Sequence, residues 1–124
     1  MLVDAPCSGT GTWRRNPDAR WRAPREGGLD DLVALQARIL ASAARLVKPS
    51  GRLVYATCSL LEAENGAQVV RFLAAHPDFR QAPLAQAAPA LADLNTVGQL
   101  SLTPARHGTD GFFVAVLARV PPGR

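Results

Sequence analysis

Cys7 and Cys58 are the two residues of this sequence best suited to covalent chemistry. Each is followed by a serine and lies just past an apolar stretch, Cys7 after Asp4-Ala5-Pro6 and Cys58 after Ala56-Thr57. A thiolate is a potent nucleophile, but an ordinary thiol near pKa ~8.5 is mostly protonated at neutral pH. A working nucleophile therefore needs partial exposure and a local field that favours the anion. The start of a helix after Cys58 would supply such a field. The plainer alternative is that each thiol is a small buried hydrophobe, the usual role of a free cysteine. Two thiols so far apart in sequence do not make a disulfide framework. His76 and His107 stand in no ligand-like spacing to either, so no metal site is expected.

Other residues carry weaker signals. Asp4 is read as an acid at a buried strand end, where an unpaired carboxylate is costly, so it should have a partner or face a cavity. It could equally cap a neighbouring loop amide. Gly9-Thr10-Gly11 is a lone Gly-x-Gly, which a tight turn explains without any phosphate. Trp13-Arg14-Arg15-Asn16-Pro17-Asp18-Ala19-Arg20-Trp21-Arg22 interleaves arginine with tryptophan. Arginine meets phosphates and stacks on bases, and tryptophan offers a stacking face. A solvated loop pinned to the core by its tryptophans would look the same. His107-Gly108-Thr109-Asp110-Gly111 reads on its own as a turn into a last strand.

These residues must be placed by the elements around them. Met1-Leu2-Val3 reads as the end of a strand, because Pro6 disfavours helix just before it. Residues 13–28 are polar, Arg-rich and broken by Pro17 and Pro24, hence irregular. Residues 30–47 form the clearest helix, with Leu32, Leu35, Ile39, Ala43 and Leu46 on one face and Pro49-Ser50-Gly51 as its stop. Residues 52–56 read as a buried strand ending just before Thr57-Cys58-Ser59. Ser59-x-x-Glu62 has capping-box form and predicts a second helix to about His76, with Val69, Phe72 and Leu73 buried. Residues 80–97 show little period and are read as a loop or loose helical insert. Residues 99–102 form a short strand, 103–111 a turn-rich loop, and 112–118 a strand covered on both faces. A strand–helix–strand start implies a parallel sheet with a right-handed crossover, and ligands lie beyond the carboxyl ends of such strands. Both cysteines fall at such ends, so they could face one crevice.

Bulk properties narrow the class. One domain at most is expected from 124 residues, and 48% hydrophobic content suffices for a core. No apolar run is long enough to span a bilayer and no signal segment opens the chain, so a soluble, cytoplasmic protein without a membrane partner is expected. Fourteen Lys and Arg against ten acids give a net charge of +4, which fits a nucleic-acid partner without demanding one.

Taken together, Asp4-Ala5-Pro6-Cys7-Ser8-Gly9-Thr10-Gly11, Arg15-Asn16-Pro17, Ala56-Thr57-Cys58-Ser59, Glu64-Asn65 and His107-Gly108-Thr109-Asp110-Gly111-Phe112-Phe113 resemble the Sun/Nop family of S-adenosylmethionine-dependent RNA cytosine-5 methyltransferases. The resemblance runs over nearly the whole chain and weakens across 80–97. It implies an α/β, Rossmann-like class I methyltransferase fold, of which residues 1–124 are the C-terminal part of a single catalytic domain. The full sheet would have seven mostly parallel strands with the last antiparallel, and its N-terminal cofactor-binding half is expected to be absent. It implies that Cys58 adds to C6 of the target cytosine, that Cys7 assists the later elimination, and that Asp4 lies at the S-adenosylmethionine site. Trp13, Arg14, Arg15 and Trp21 are the expected RNA contacts, the RNA being ribosomal by default, or transfer RNA. Two other functions stay open: an RNA-binding remnant without catalysis, and a DNA cytosine-5 methyltransferase, in which the Pro-Cys thiol would be the nucleophile. The half-sheet reading also predicts that these residues alone bind S-adenosylmethionine worse than about 1 mM. Marginal stability, or self-association through an exposed sheet edge, is expected for the same reason.

Overall fold

The computed structural model describes residues 1–22, 26–94 and 98–123. Pro24 and the end of the irregular segment at Val97 lie outside the described residues. The elements in chain order are β1 (Leu2–Asp4), α1 (Gly28–Leu46), β2 (Arg52–Thr57), α2 (Gly66–Ala75), β3 (Phe79–Gln81), α3 (Leu84–Ala87), β4 (Gln99–Leu102), α4 (Pro104–His107) and β5 (Phe112–Arg119). Among the described residues no helix is long and apolar enough to cross a membrane.

The sheet runs β1-β2-β5, and the far edge of β5 is shared by β3 and β4. β1 and β2 pair in parallel, with Leu2 opposite Val54 and Asp4 opposite Ala56. The pairing continues one step further, Ala5 donating its N–H to the Ala56 carbonyl at 2.9 Å. The two strands therefore run out of the sheet together, which carries Cys7 and Cys58 past the same edge. β5 is antiparallel to β2, with Thr57 opposite Phe113. Its beginning, and so the 107–111 loop, is brought to that edge as well.

Both faces of the sheet are covered. Leu53, Tyr55, Phe113, Ala115 and Leu117 pack with Leu40, Ala43, Val69 and Phe72 under α1 and α2. Ala82, Leu84, Leu100 and Val116 form a smaller core on the other side, with Val54 and Val114 packed on it. The unbroken apolar run of β5 thus has one set of alternate residues in each core. Complete burial of a side chain such as Leu53 or Leu117 contributes about 1.5–3 kcal/mol.

β1, β2, β3 and β4 all point the same way and β5, the last strand, runs against them, as expected of a mostly parallel sheet with an antiparallel last strand. Three expectations need correction. The buried stripe of α1 is rotated from the expected one: Gln36, Leu40, Ala43 and Ala44 are buried, whereas Leu46 is 73% exposed. Ser59 does not cap α2, which begins only at Gly66 after a 3-10 turn over Glu62–Glu64. The Ser59 hydroxyl instead turns to the Glu64 carboxylate and accepts from the Leu61 N–H at 3.0 Å. Finally, Phe79–Gln81 is a strand pairing with β5, not the beginning of a loop. Its three residues are too few for a periodic signal, and Phe79 is held by burial against Phe72.

Candidate active site

The Sγ atoms of Cys7 and Cys58 lie 3.3 Å apart, each thiol partly buried. Two residues far apart in sequence meet because β1 and β2 end in register. Burial pushes the Cys58 thiol up to about 11, and the hydrogen bond and charge of Cys7 push the same way, with Asp4 adding a smaller effect. The expected helix field is missing, since α2 starts at Gly66, well beyond Cys58. The resting thiol is thus protonated and must lose its proton before Sγ can attack. Iodoacetamide labelling of Cys58 should accordingly climb about tenfold per pH unit from neutrality and level off only near pH 11. In Cys7→Ala two of the raising influences go, so the midpoint should move down. Peptide mass spectrometry reads both, and a wild-type midpoint at or below the ordinary thiol value would contradict the buried pair.

The loops that carry the thiols are fastened by a buried acid. Glu64 is fully buried. One carboxylate oxygen accepts from the Ser8 N–H at 2.7 Å and from Gln36 Nε2 at 3.1 Å. The other accepts from the Ser8 hydroxyl at 2.7 Å and from the Ser59 hydroxyl. Gln36 Nε2 also donates to the Pro6 carbonyl at 2.9 Å, while its oxygen accepts from Gln68 Nε2 at 3.1 Å. The Asn65 side chain grips both neighbours of Cys58. It accepts from the Thr57 hydroxyl at 2.6 Å and donates to the Ser59 carbonyl at 2.9 Å. The Tyr55 hydroxyl donates to the Glu64 carbonyl at 2.6 Å, and burial beside Glu64 raises its pKa. Sequence reasoning missed Gln36, Gln68 and the role of Glu64. The available signal was two amides, Gln36 and Gln68, at helix positions flanked by core residues, where a buried polar group needs a partner.

A third loop closes on the pair. Gly11 donates to the Cys58 carbonyl and Gly111 donates to the Gly11 carbonyl, both at 2.8 Å. Arg14 donates to the Gly108 carbonyl, and Arg15 forms an ion pair with Asp110. The 107–111 loop is therefore part of the site and not only a turn.

Asp4 departs from expectation. It sits at the end of β1 but is exposed, so the argument that burial demands a partner falls away. An edge strand of only three residues leaves its tip in solvent. Of the expected RNA residues, Arg14 and Arg15 are engaged with the 108–110 loop, though both remain exposed. Trp13 and Trp21 are 38% and 79% exposed. Arg20, which the sequence reading did not single out, stands over both rings at 5.8 and 5.0 Å. A cavity of about 430 Å³ opens here, lined by Cys7, Ser8, Thr10, Trp13, Arg20 and Leu61 among others. That volume suits a nucleoside-sized ligand. Among the described residues no group of three His, Cys, Asp or Glu could hold a metal ion.

Over residues 1–118 the chain matches the family described as 16S rRNA methyltransferase RsmB/F. It is 42% identical over 120 residues to the ribosomal RNA small subunit methyltransferase B of Thermus thermophilus, covering 97% of this chain and 29% of that one. The crystal structure of PH0851 superposes with a TM-score of 0.80 at 42% identity, over 94% of this chain and 25% of the other. The structure of NSun6 from Pyrococcus horikoshii with SFG gives a TM-score of 0.70 at 23% identity, over 98% and 30%, a likeness of fold. The fold is thus part of a Rossmann-like methyltransferase. The chain spans about a quarter of the length of the curated relatives it matches.

Proposed function

The chain belongs to the RsmB/F family of 16S rRNA methyltransferases, and on that premise we propose that it is the thiol-bearing part of an enzyme that methylates C5 of cytosine in small-subunit ribosomal RNA. The observation that carries this reading is the pair of thiols 3.3 Å apart past the ends of adjacent parallel strands, one of them lining a nucleoside-sized cavity. We place residues 1–124 as one portion of a single catalytic domain in a cytoplasmic protein.

In this reading the Cys58 thiol loses its proton and Sγ bonds to C6 of the cytosine, which makes C5 electron-rich. Covalent addition divides one hard step into two easier ones. S-adenosylmethionine, when bound, supplies an electrophilic methyl group for C5. Asp4, an exposed carboxylate at the tip of β1 able to accept hydrogen bonds, would face it in this reading, as the family resemblance implies. Removal of the C5 proton then lets the Sγ–C6 bond break, and Cys7, in contact with Cys58, assists that release. A base must leave its stack to reach the cavity, at a cost of a few kcal/mol in a duplex. The exposed rings of Trp13 and Trp21, with Arg20 over them, offer a stacking surface for it or for its neighbours. Arg14 and Arg15 keep exposed guanidinium edges for phosphate while they hold the 108–110 loop.

The test is methyl transfer by the complete enzyme that contains residues 1–124 to small-subunit ribosomal RNA, with digestion of the product to nucleosides. 5-Methylcytosine is expected, and a methyl group on any other atom would overturn the reading. Arg20→Ala should weaken RNA binding and flatten its log–log salt dependence by roughly 0.7–0.9. An unchanged slope would remove Arg20 from the interface.

A further inference from the structure

We infer that Glu64 is a positioning residue for both thiols: its buried carboxylate, gripped by donors from the two cysteine loops and from α1, fixes Cys7 against Cys58. The inference rests on the reading of Cys7 and Cys58 given above. A carboxylate buried without a cation is costly, and among the described residues no ion pair reaches Glu64. An acid in that place needs a reason beyond packing. The reason is its number of acceptor sites: the two carboxylate oxygens offer about four. Four donors arrive here, the Ser8 N–H, the Ser8 hydroxyl, the Ser59 hydroxyl and Gln36 Nε2.

Each donor is tied to a thiol. Ser8 follows Cys7 and Ser59 follows Cys58 in the chain. Gln36 holds the carbonyl of Pro6, the residue before Cys7. The acid therefore grips the Cys7 loop on both sides of the thiol and the Cys58 loop on one, while Asn65 grips the other side of Cys58. The two serine hydroxyls meet each other at 3.3 Å across the same junction. Glu64 does not line the cavity and so acts on the chemistry only through the thiols.

Disulfide trapping measures the thiol separation without any need for activity. Diamide takes the two thiol hydrogens and leaves a Cys7–Cys58 bond, which peptide mass spectrometry of the unreduced full chain detects. The wild type should link readily from 3.3 Å. Folded Glu64→Ala should link at least about tenfold more slowly. Glu64→Gln should stay within about threefold, because its amide oxygen keeps the Ser8 and Gln36 bonds and its amide nitrogen can donate to the hydroxyls. In methyl transfer Glu64→Ala should lose kcat with KM for RNA held. Linking of folded Glu64→Ala at the wild-type rate would overturn the inference. If Glu64→Ala does not fold, Ser8→Ala and Ser59→Ala decide: each removes one tie and should slow linking about fivefold, and wild-type rates in both would overturn it. A complete wild-type enzyme that transfers no methyl group would instead refute the proposed function, and the linking rates would still judge Glu64.

Discussion

Cys58→Ala should abolish the denaturant-stable adduct that the complete enzyme containing this chain forms with RNA carrying 5-fluorocytosine, and should lower methyl transfer by at least about 10⁴-fold. Fluorine at C5 cannot leave as a proton does, so an enzyme that adds a thiolate to C6 stays attached to such RNA. Cys7→Ala should do the opposite with ordinary cytosine: transfer proceeds, release slows, and an adduct accumulates. The geometry makes this contrast informative. The sulfurs are in contact, so either could reach a base held over the other, and Cys7 is the one that lines the cavity. The assignment of Cys58 as nucleophile follows the Thr57-Cys58-Ser59 element, whose two outer residues are both gripped by Asn65. A thiol that forms a bond to the substrate benefits from flanks that cannot drift. Cys7 lies in the crossover loop after a three-residue edge strand, a place suited to a helper. If Cys58→Ala still traps the fluorinated RNA and Cys7→Ala does not, the roles are reversed and the DNA-type assignment replaces the one proposed.

Much of this site could be read before the fold was known, and the parts that could not share a physical cause. Strand ends were legible from Pro6 and from the 52–56 run, and parallel pairing followed from one intervening helix. Those two facts alone bring Cys7 and Cys58 to one edge. What stayed hidden was every contact made by a polar side chain in the interior. Helical periodicity weighs apolar residues, so it placed the inner face of α1 along Leu32, Leu35, Ile39, Ala43 and Leu46, whereas the buried stripe runs through Gln36, Leu40 and Ala43 and leaves Leu46 outside. Gln36 is inside because Glu64, Pro6 and Gln68 satisfy it, and none of those partners lies near it in sequence. The capping-box reading of Ser59 failed for the same reason: a partner across the site, Glu64, competes for the hydroxyl. Arg14 and Arg15 looked like phosphate ligands because nothing local opposed that, yet Gly108 and Asp110 reach them from the far end of the chain. Composition marks which residues want partners, and the topology decides which partners they get.

Gly11→Ala should cost about 2–4 kcal/mol of stability and, in protein that still folds, about 100-fold in methyl transfer. A Cβ on Gly11 would lie 2.3 Å from the Gly111 carbonyl oxygen and 2.6 Å from that of Cys58. Both obstacles are backbone, so neither can swing aside as a long side chain would. The 9–12 loop would have to lift, breaking the Gly11 bond to the Cys58 carbonyl and the Gly111 bond to the Gly11 carbonyl. Those bonds set the peptide of the proposed nucleophile, which is why the activity should fall further than the stability. Gly111→Ala should behave alike, since its Cβ would meet Gly11 Cα at 2.7 Å and Leu60 Cδ2 at 2.4 Å. Leu60 can move but Gly11 cannot, so a smaller loss is expected. Gly9 separates the two uses of glycine in this loop. Its φ is +73°, yet a Cβ there meets nothing closer than Thr12 Oγ1 at 3.8 Å. Gly9→Ala should therefore cost only the backbone strain of about 1–2 kcal/mol, and Gly9→Asn less, with activity near wild type. Urea denaturation and methyl transfer on the three alanine variants give the ranking. Equal activity losses at Gly9 and Gly11 would show that the loop's conformation matters and its close approach to Cys58 does not.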